Sequence, residues 1–151
     1  MSLPLKLFLI AMLTIIVVAV VPNAMNARER GKQKRTMGDM RSLATAAESY
    51  SIDNNQYPAF PVASAQGLDE LIRLLEPTYG KELVRVDGWG TPLTFQGTKG
   101  EYTITALGAD RLPDTVSSPG KVAPNGGTTS FNADVLFCTG SFVQFPDGTM
   151  T

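Results

Sequence analysis

The sequence has 151 residues, a formal net charge of −1, no histidine and a single cysteine, Cys138. This length is enough for one domain with an anchor, and a lone cysteine excludes an intramolecular disulfide. The lack of histidine removes the commonest general base and metal ligand, and a net charge near zero does not favour nucleic acid as a partner.

An uncharged apolar run opens the chain and extends from Leu7 to Val21. A membrane-spanning helix needs about 20 apolar residues, a length that the run reaches if it continues through Pro22–Met25. A cleaved secretory signal is the alternative, but small residues are poorly placed for cleavage after Ala24 or Ala27. We therefore expect this segment to be retained, with residues 1–27 forming the transmembrane part.

A second helical pattern follows the apolar run with no strong turn signal between them. Apolar and small residues recur at spacings of three and four through Met37–Ser51, which indicates an amphipathic helix. The two patterns predict one helix from about residue 3 to about residue 53, kinked at Pro22, where the ring removes a backbone donor.

The remaining elements belong to a head, residues 28–151, which includes the second half of the long helix. Residues 58–66 are expected to be a loop, and Leu68–Leu75 a short helix. Residues 108–131, rich in Pro, Gly, Ser and Thr, are expected to be a long loop. Two hairpins are predicted, residues 92–96 with 101–105 and residues 135–138 with 141–145. The predicted fold class is α+β, a long helix packed on a small antiparallel sheet.

Basic residues cluster directly after the apolar run, in a segment that we call the collar. They are Arg28, Arg30, Lys32, Lys34 and Arg35, with Glu29 as the one acid among them. From residue 36 onward the chain has 7 basic and 13 acidic residues. The collar is expected to meet either acidic surfaces of neighbouring chains or anionic lipid head groups.

No arrangement of side chains indicates catalysis. The serines and Cys138 have no histidine base, and no glycine-rich phosphate loop of the required spacing is present. We therefore expect the protein not to be an enzyme. Trp89, between Gly88 and Gly90, is predicted to anchor the core rather than to bind a ligand.

Several segments together resemble type IV pilins and the pseudopilins of type II secretion. Four of them lie in or after the long helix: Val21–Asn23, Asn26–Arg35, Asp39–Leu43 and Tyr50–Pro58. Asp87–Leu93 is similar to the D-x-W-G-x-P signature of the major pseudopilin, and Leu107–Asp110 is similar to the start of its calcium loop. The resemblance implies a subunit of a helical filament, either a type II secretion pseudopilus or a type IV pilus. The helix core of that filament would include Leu7, Phe8, Leu9, Ile10 and Pro22.

The resemblance also implies a location, partners and a metal. The chain would be anchored in the bacterial inner membrane with its head on the periplasmic or extracellular side. Its partners would be further copies of itself, minor pilin-like subunits, the assembly machinery and, before assembly, membrane lipid. Calcium would bind the carbonyl of Leu107 and the side chains of Asp110, Asn132 and Asp134, with Asp114 as a further ligand. The alternative is that these polar residues only form turns.

Two features depart from the family pattern. The family carries a Gly-Phe processing site and a glutamate as fifth mature residue, and neither is visible in this sequence. Alignment on Pro22 places Leu5 at the position of the glutamate. The loop after Asp110 is longer and less acidic than the family's calcium loop. A membrane protein whose head binds a partner without polymerising is therefore the alternative function. Five basic residues after the span also favour a cytoplasmic head; we adopt the opposite orientation, which the resemblance implies.

Overall fold

The structure is a computed structural model that describes residues 3–114 and 126–147, except for the side chains of residues 19 and 20. Within these ranges the chain forms two helices, α1 (Leu3–Asn54) and α2 (Ala65–Leu75). The strands of the same ranges are β1 (Phe60–Ser64), β2 (Thr94–Gly97), β3 (Tyr102–Ala106), β4 (Gly127–Thr128), β5 (Val135–Cys138) and β6 (Ser141–Pro146).

Helix α1 is a single helix of 52 residues that continues through Pro22, so the predicted extent is confirmed. At 1.5 Å per residue it is about 78 Å long. From Leu3 to Arg28 every residue whose burial is described is exposed, and the first buried residue of the helix is Gln33. This half is long and apolar enough to cross a membrane. None of its described side chains is buried in the head.

The second half of α1 packs on the sheet and on α2 through the face that the periodicity predicts. Met40, Leu43, Ala44 and Ala47 are buried, and they recur at spacings of three and four. They join a core made of apolar side chains from α2, from the central strands and from the residue before β2. The largest are Leu68, Leu71, Ile72, Leu75, Leu93, Phe95, Tyr102, Ile104 and Val135. Burial of this apolar face is what holds the helix to the head.

The strands form one sheet in the order β1-β2-β3-β5-β6-β4. Both predicted hairpins are confirmed, β2 with β3 and β5 with β6. The sheet is mixed rather than purely antiparallel, because the short strand β4 runs parallel to β6. Strand β4 lies within the stretch that was predicted to be a loop, and residues 115–125 of that stretch lie outside the described residues.

The prediction of a loop over residues 58–66 was wrong. Residues 60–64 form β1, which pairs with β2 at the edge of the sheet, and its central three residues are exposed. An exposed edge strand has no alternation of apolar and polar residues to mark it. Helix α2 also begins earlier than predicted, because the Ser64 side chain caps it by accepting a hydrogen bond from the Gly67 amide at 2.9 Å.

A glutamate on α1 ties the helix to the sheet. The two carboxylate oxygens of Glu48 accept hydrogen bonds from the hydroxyl of Tyr102 on β3, at 2.9 Å, and from that of Tyr57, at 2.8 Å. Burial, together with this carboxylate, raises the pKa of Tyr102, so the hydroxyl stays protonated and remains a donor. The second half of α1 is therefore fixed by polar contacts as well as by the apolar core.

Candidate functional site

The predicted filament-core residues lie on the apolar half of α1 and are exposed. Leu7, Phe8, Leu9 and Ile10 are between 47% and 65% exposed, and Pro22 is also exposed. A soluble monomer rarely leaves a continuous apolar surface of this size uncovered. This half of the helix therefore requires lipid or other protein around it.

The structure divides the collar into an outer and an inner face. Arg28, Arg30, Lys34 and Arg35 are exposed and form the outer face, where Arg35 lies 3.6 Å from Asp39. On the inner face, Lys32 is half-buried and Gln33 and Thr36 are buried. The Lys32 ammonium donates to the Glu29 carboxylate at 2.8 Å. Four of the five predicted basic residues can thus meet a partner outside the head.

A tight turn of the head, residues 87–91, contacts this inner face, and we call the contact the joint. The carboxylate of Asp87 shapes the turn by accepting hydrogen bonds from the amides of Trp89, at 2.9 Å, and Thr91, at 2.8 Å. Two hydrogen bonds then reach α1. The Gly88 amide donates to Thr36 Oγ1 at 2.8 Å, and the Trp89 indole N–H donates to Glu29 Oε2 at 2.6 Å.

The prediction that Trp89 anchors the core was wrong. Trp89 is half-buried and lies outside the apolar core, against the collar. An indole has a polar N–H that needs an acceptor when its ring is covered, and Glu29 supplies one. The signature around Trp89 therefore joins the head to the membrane-proximal helix.

The residues of the inner face were not predicted as a site. Gln33 and Thr36 extend the spacing of the buried face, which continues at Met40, by about two turns towards the membrane. That register could have identified them, although both are polar. Glu29 could have been singled out as the one acid within a basic segment.

The joint shifts the pKa of two carboxyl groups in opposite directions. Hydrogen bonds from Lys32 and Trp89 hold the pKa of Glu29 below its usual value. Burial raises the pKa of Asp87, although hydrogen bonds from the backbone of Thr91 and Trp89 oppose that rise. The joint therefore favours a charged Glu29 and disfavours a charged Asp87.

A pH titration of Glu29→Gln is expected to show this stabilisation of the charged form. With a folded pKa below the usual 4.5, Glu29 stabilises the fold above the unfolded pKa, and this stabilisation is lost as the pH falls through the folded pKa. The difference in urea midpoint between wild type and variant should shrink as the pH falls from about 7 to about 3. Asp87 titrates in both proteins and cancels in the difference. A difference that stays constant with pH would contradict the assignment.

Two glycine substitutions on either side of the joint are expected to have opposite effects. A Cβ on Gly88 would lie 2.4 Å from the Lys32 carbonyl oxygen, whereas a Cβ on Gly38 would meet nothing within 4 Å. Gly88→Ala should therefore lower the free energy of unfolding by about 1–3 kcal/mol. Gly38→Ala should raise it by about 0.5–1 kcal/mol, because alanine favours a helix interior over glycine.

Urea unfolding of a head fragment that begins at Met25 measures both effects. Every residue of α1 that the structure describes as buried lies within that fragment, so the core is kept. Equal urea midpoints for Gly88→Ala and wild type would mean that the turn does not lie in close contact with the backbone of the helix at Lys32.

The structure brings the predicted calcium ligands onto neighbouring segments. The Ala109 amide donates to the Phe131 carbonyl at 2.8 Å, which places Leu107–Asp110 beside Phe131 and Asn132. The carboxylate of Asp110 is exposed and accepts a hydrogen bond from the Leu112 amide within its own turn. This contact matches the role of a turn residue.

Asp114 and Asp134, which lie close to these segments along the chain, form a pair of carboxylates. The carboxylates of Asp114 and Asp134 each accept a hydrogen bond from the other's backbone amide, both at 3.0 Å. Over residues 3–114 and 126–147, no three His, Cys, Asp or Glu side chains are grouped closely enough to hold a metal ion. The donors therefore fit calcium only in part, and calcium binding stays a prediction.

A long helix whose apolar first half is exposed and whose second half packs on a small sheet defines a pilin-like, membrane-anchored protein. Comparison with protein-family models matches residues 23–124 to the type II secretion system (T2SS), protein G. The chain therefore belongs to the type II secretion protein G family, the pseudopilins. The match begins after the apolar half, so the case for a membrane span rests on the helix itself.

Curated relatives agree with this family. Type II secretion system core protein G of Pseudomonas aeruginosa is 33% identical over 115 residues, which cover 67% of this chain and 76% of that protein. The protein of the same name from Pectobacterium carotovorum is 32% identical over 119 residues, covering 70% and 72%. That of Aeromonas hydrophila is 33% identical over 115 residues, covering 67% and 76%. No solved structure matches the chain significantly.

Proposed function

We propose that the chain is a structural subunit of a helical filament, a type II secretion pseudopilus rather than a type IV pilus. The observation that carries this proposal is the exposed apolar half of α1, on a chain of the protein G family. In lipid this helix anchors the subunit. In a filament, the helices of neighbouring subunits take the place of lipid and pack closely with one another.

The location and partners follow from the same proposal. The anchor lies in the bacterial inner membrane, and the head lies on the periplasmic or extracellular side. Further copies of the chain are the main partners, together with minor pilin-like subunits and the assembly machinery. The relatives bear the name of a secretion system core protein, which supports a role in protein transport and a structural rather than a catalytic part in it.

Electron microscopy of cells that overexpress the full chain beside a type II secretion assembly system tests the proposal. Filaments that contain the chain are the expected result. A membrane-inserted protein that forms no filaments would favour the alternative, a bitopic protein whose head binds a partner. The leucine at position 5, where the family carries a glutamate, is the feature that favours this alternative.

Labelling of cysteine tests the orientation. An exposed cysteine at Lys99→Cys, in a Cys138→Ser background, should react with a membrane-impermeant reagent while the inner membrane is intact. Lys99 is exposed, in the turn that connects β2 and β3. Labelling only after the inner membrane is breached would place the head in the cytoplasm.

Calcium, as a proposal, acts structurally on the loop that Asp110, Asp114, Asn132 and Asp134 form. A ligand that binds only the folded state stabilises it by about 2.7 kcal/mol at one hundred times its dissociation constant. Thermal melts of the head fragment with calcium and with chelator should therefore differ. Asp134→Asn should remove the difference. Identical melting temperatures for wild type in the two conditions would leave these residues as turn formers only.

A further inference from the structure

The joint buries polar atoms that the closed head does not satisfy. In the described part of the chain, Nε2 of Gln33, Oδ2 of Asp87 and Oγ1 of Thr91 are buried without a hydrogen-bond partner. Gln33 and Asp87 are only 3% and 4% exposed. A buried polar atom without a partner is unfavourable, because it loses water and gains no protein contact in return. Closing the joint therefore has a cost that the apolar core does not share.

Two hydrogen bonds hold the joint closed, and the one to Glu29 lies at its margin. Trp89, which donates to Glu29, is half-buried, and Glu29 itself is 29% exposed. The second contact is the hydrogen bond from the Gly88 amide to Thr36. Opening would break both hydrogen bonds, and it would bring water to the three unsatisfied atoms, which offsets part of that loss.

The core holds α1 through contacts of its own, outside the joint. Met40, Leu43 and Ala47 hold α1 on the sheet one turn or more beyond Thr36, and Glu48 adds its two tyrosine contacts. A helix anchored by these residues can keep its place in the head while its collar loses contact with the turn. Local opening of this kind has a lower free energy than global unfolding.

We propose that the joint is a clamp that opens locally while the core of the head stays closed. When closed, it fixes the direction of the apolar half of α1 relative to the head through Trp89 and Glu29. When open, it lets the collar change its angle to the head. Trp89 is thus a positioning residue for the membrane-proximal helix.

The use of this clamp in assembly rests on the proposed function. A subunit that passes from the membrane into a filament exchanges lipid for neighbouring helices around its apolar half. A clamp that opens allows the head and the apolar half to take up different angles in the two settings. The opening itself is a property of the single chain and does not depend on a filament.

Hydrogen exchange of the full chain in detergent micelles, before any assembly, tests the clamp. The Gly88 amide, whose hydrogen bond to Thr36 breaks on opening, is expected to exchange at least about tenfold faster than the amides of residues 40–50. Trp89→Phe keeps a ring and removes the indole N–H, so it should speed exchange of the Gly88 amide about tenfold and leave residues 40–50 unchanged. Gln33→Leu removes an unsatisfied donor and should slow exchange of the Gly88 amide severalfold.

Arg35→Gln, on the outer face of the collar, is the matched control and should leave exchange of the Gly88 amide and of residues 40–50 unchanged. The clamp is refuted if the Gly88 amide and residues 40–50 exchange together in wild type, or if Trp89→Phe speeds both equally, because the joint would then open only with the whole head. The measurement uses unassembled protein. A failure to find filaments would therefore overturn the proposed function and leave this result standing.

Discussion

Phe95→Ala is expected to lower the free energy of unfolding of the head by about 3–5 kcal/mol, the usual loss on deleting a fully buried aromatic ring. Phe95 is 0% exposed and lies between two other rings. Its ring centroid is 5.9 Å from that of Tyr102 and 6.0 Å from that of Phe60. The substitution removes these contacts and leaves a cavity that strands β1 and β3 cannot close.

Trp89→Ala is the matched comparison and should cost less, about 1–2 kcal/mol, since it removes a half-buried ring and one hydrogen bond. Urea midpoints of the head fragment that begins at Met25 measure both variants. A loss for Trp89→Ala equal to that for Phe95→Ala would restore the interpretation of Trp89 as a core residue.

The difference between these two aromatic residues shows where sequence reasoning fails. Phe95 alternates with polar neighbours in β2, and that pattern places it inside the sheet. Trp89 lies in a turn between two glycines, where no hydrophobic periodicity indicates whether a side chain is buried or exposed. Its contact with Glu29 joins residues 60 positions apart, and that of Gly88 with Thr36 joins residues 52 apart. Local patterns carry no information about pairings over such distances.

The elements that were predicted from the sequence are those in which apolar residues recur with a clear helical or strand periodicity. Helix α1 has an apolar run followed by a regular buried face, and the two hairpins alternate around short turns. Strands β1 and β4 have neither feature. They form because a partner strand offers hydrogen bonds at the edge of the sheet. Their pairing is decided by the tertiary structure rather than by their own residues.

The collar was predicted from its charge, and charge alone could not divide it. A helix turns by about 100° per residue, so neighbouring basic residues point to different sides. The turn at residues 87–91 covers one side and leaves the other exposed. Only the fold shows that Lys32 faces the head and is bound to Glu29, while Lys34 and Arg35 face outward.

Reversal of charge on the outer face of the collar is expected to abolish filament assembly and leave membrane insertion intact. The variant carries Arg28→Glu, Lys34→Glu and Arg35→Glu, and it keeps Lys32 because that side chain belongs to the joint. We expect this face to lie beside acidic heads of other copies in a staggered filament. Exposed pairs are each worth only about 0–1 kcal/mol, so the apolar helices supply most of the cohesion.

Reversing the charges has a larger expected effect than losing weak ion pairs, because it places like charges beside each other. Three reversed charges would face a head that carries 13 acidic and 7 basic residues beyond residue 35, and repulsion would oppose the register on which helix packing depends. The effect should weaken as salt rises, because screening acts over about 8 Å at physiological ionic strength. Electron microscopy counts the filaments, and membrane fractionation measures insertion. Arg73→Glu with Lys99→Glu, at exposed positions off α1, is the control for added negative charge.

A search for restoring substitutions separates pairing between subunits from contact with lipid. Glu70→Lys, Glu82→Lys and Glu101→Lys each place a positive charge at an exposed acidic position of the head. If the collar sets the register between subunits, at least one of these changes should restore filaments to the reversed collar. That change would also identify the acidic surface that the collar meets. If none restores assembly and insertion is weakened, the outer face binds anionic lipid head groups, at about 1 kcal/mol for each basic residue near the membrane surface.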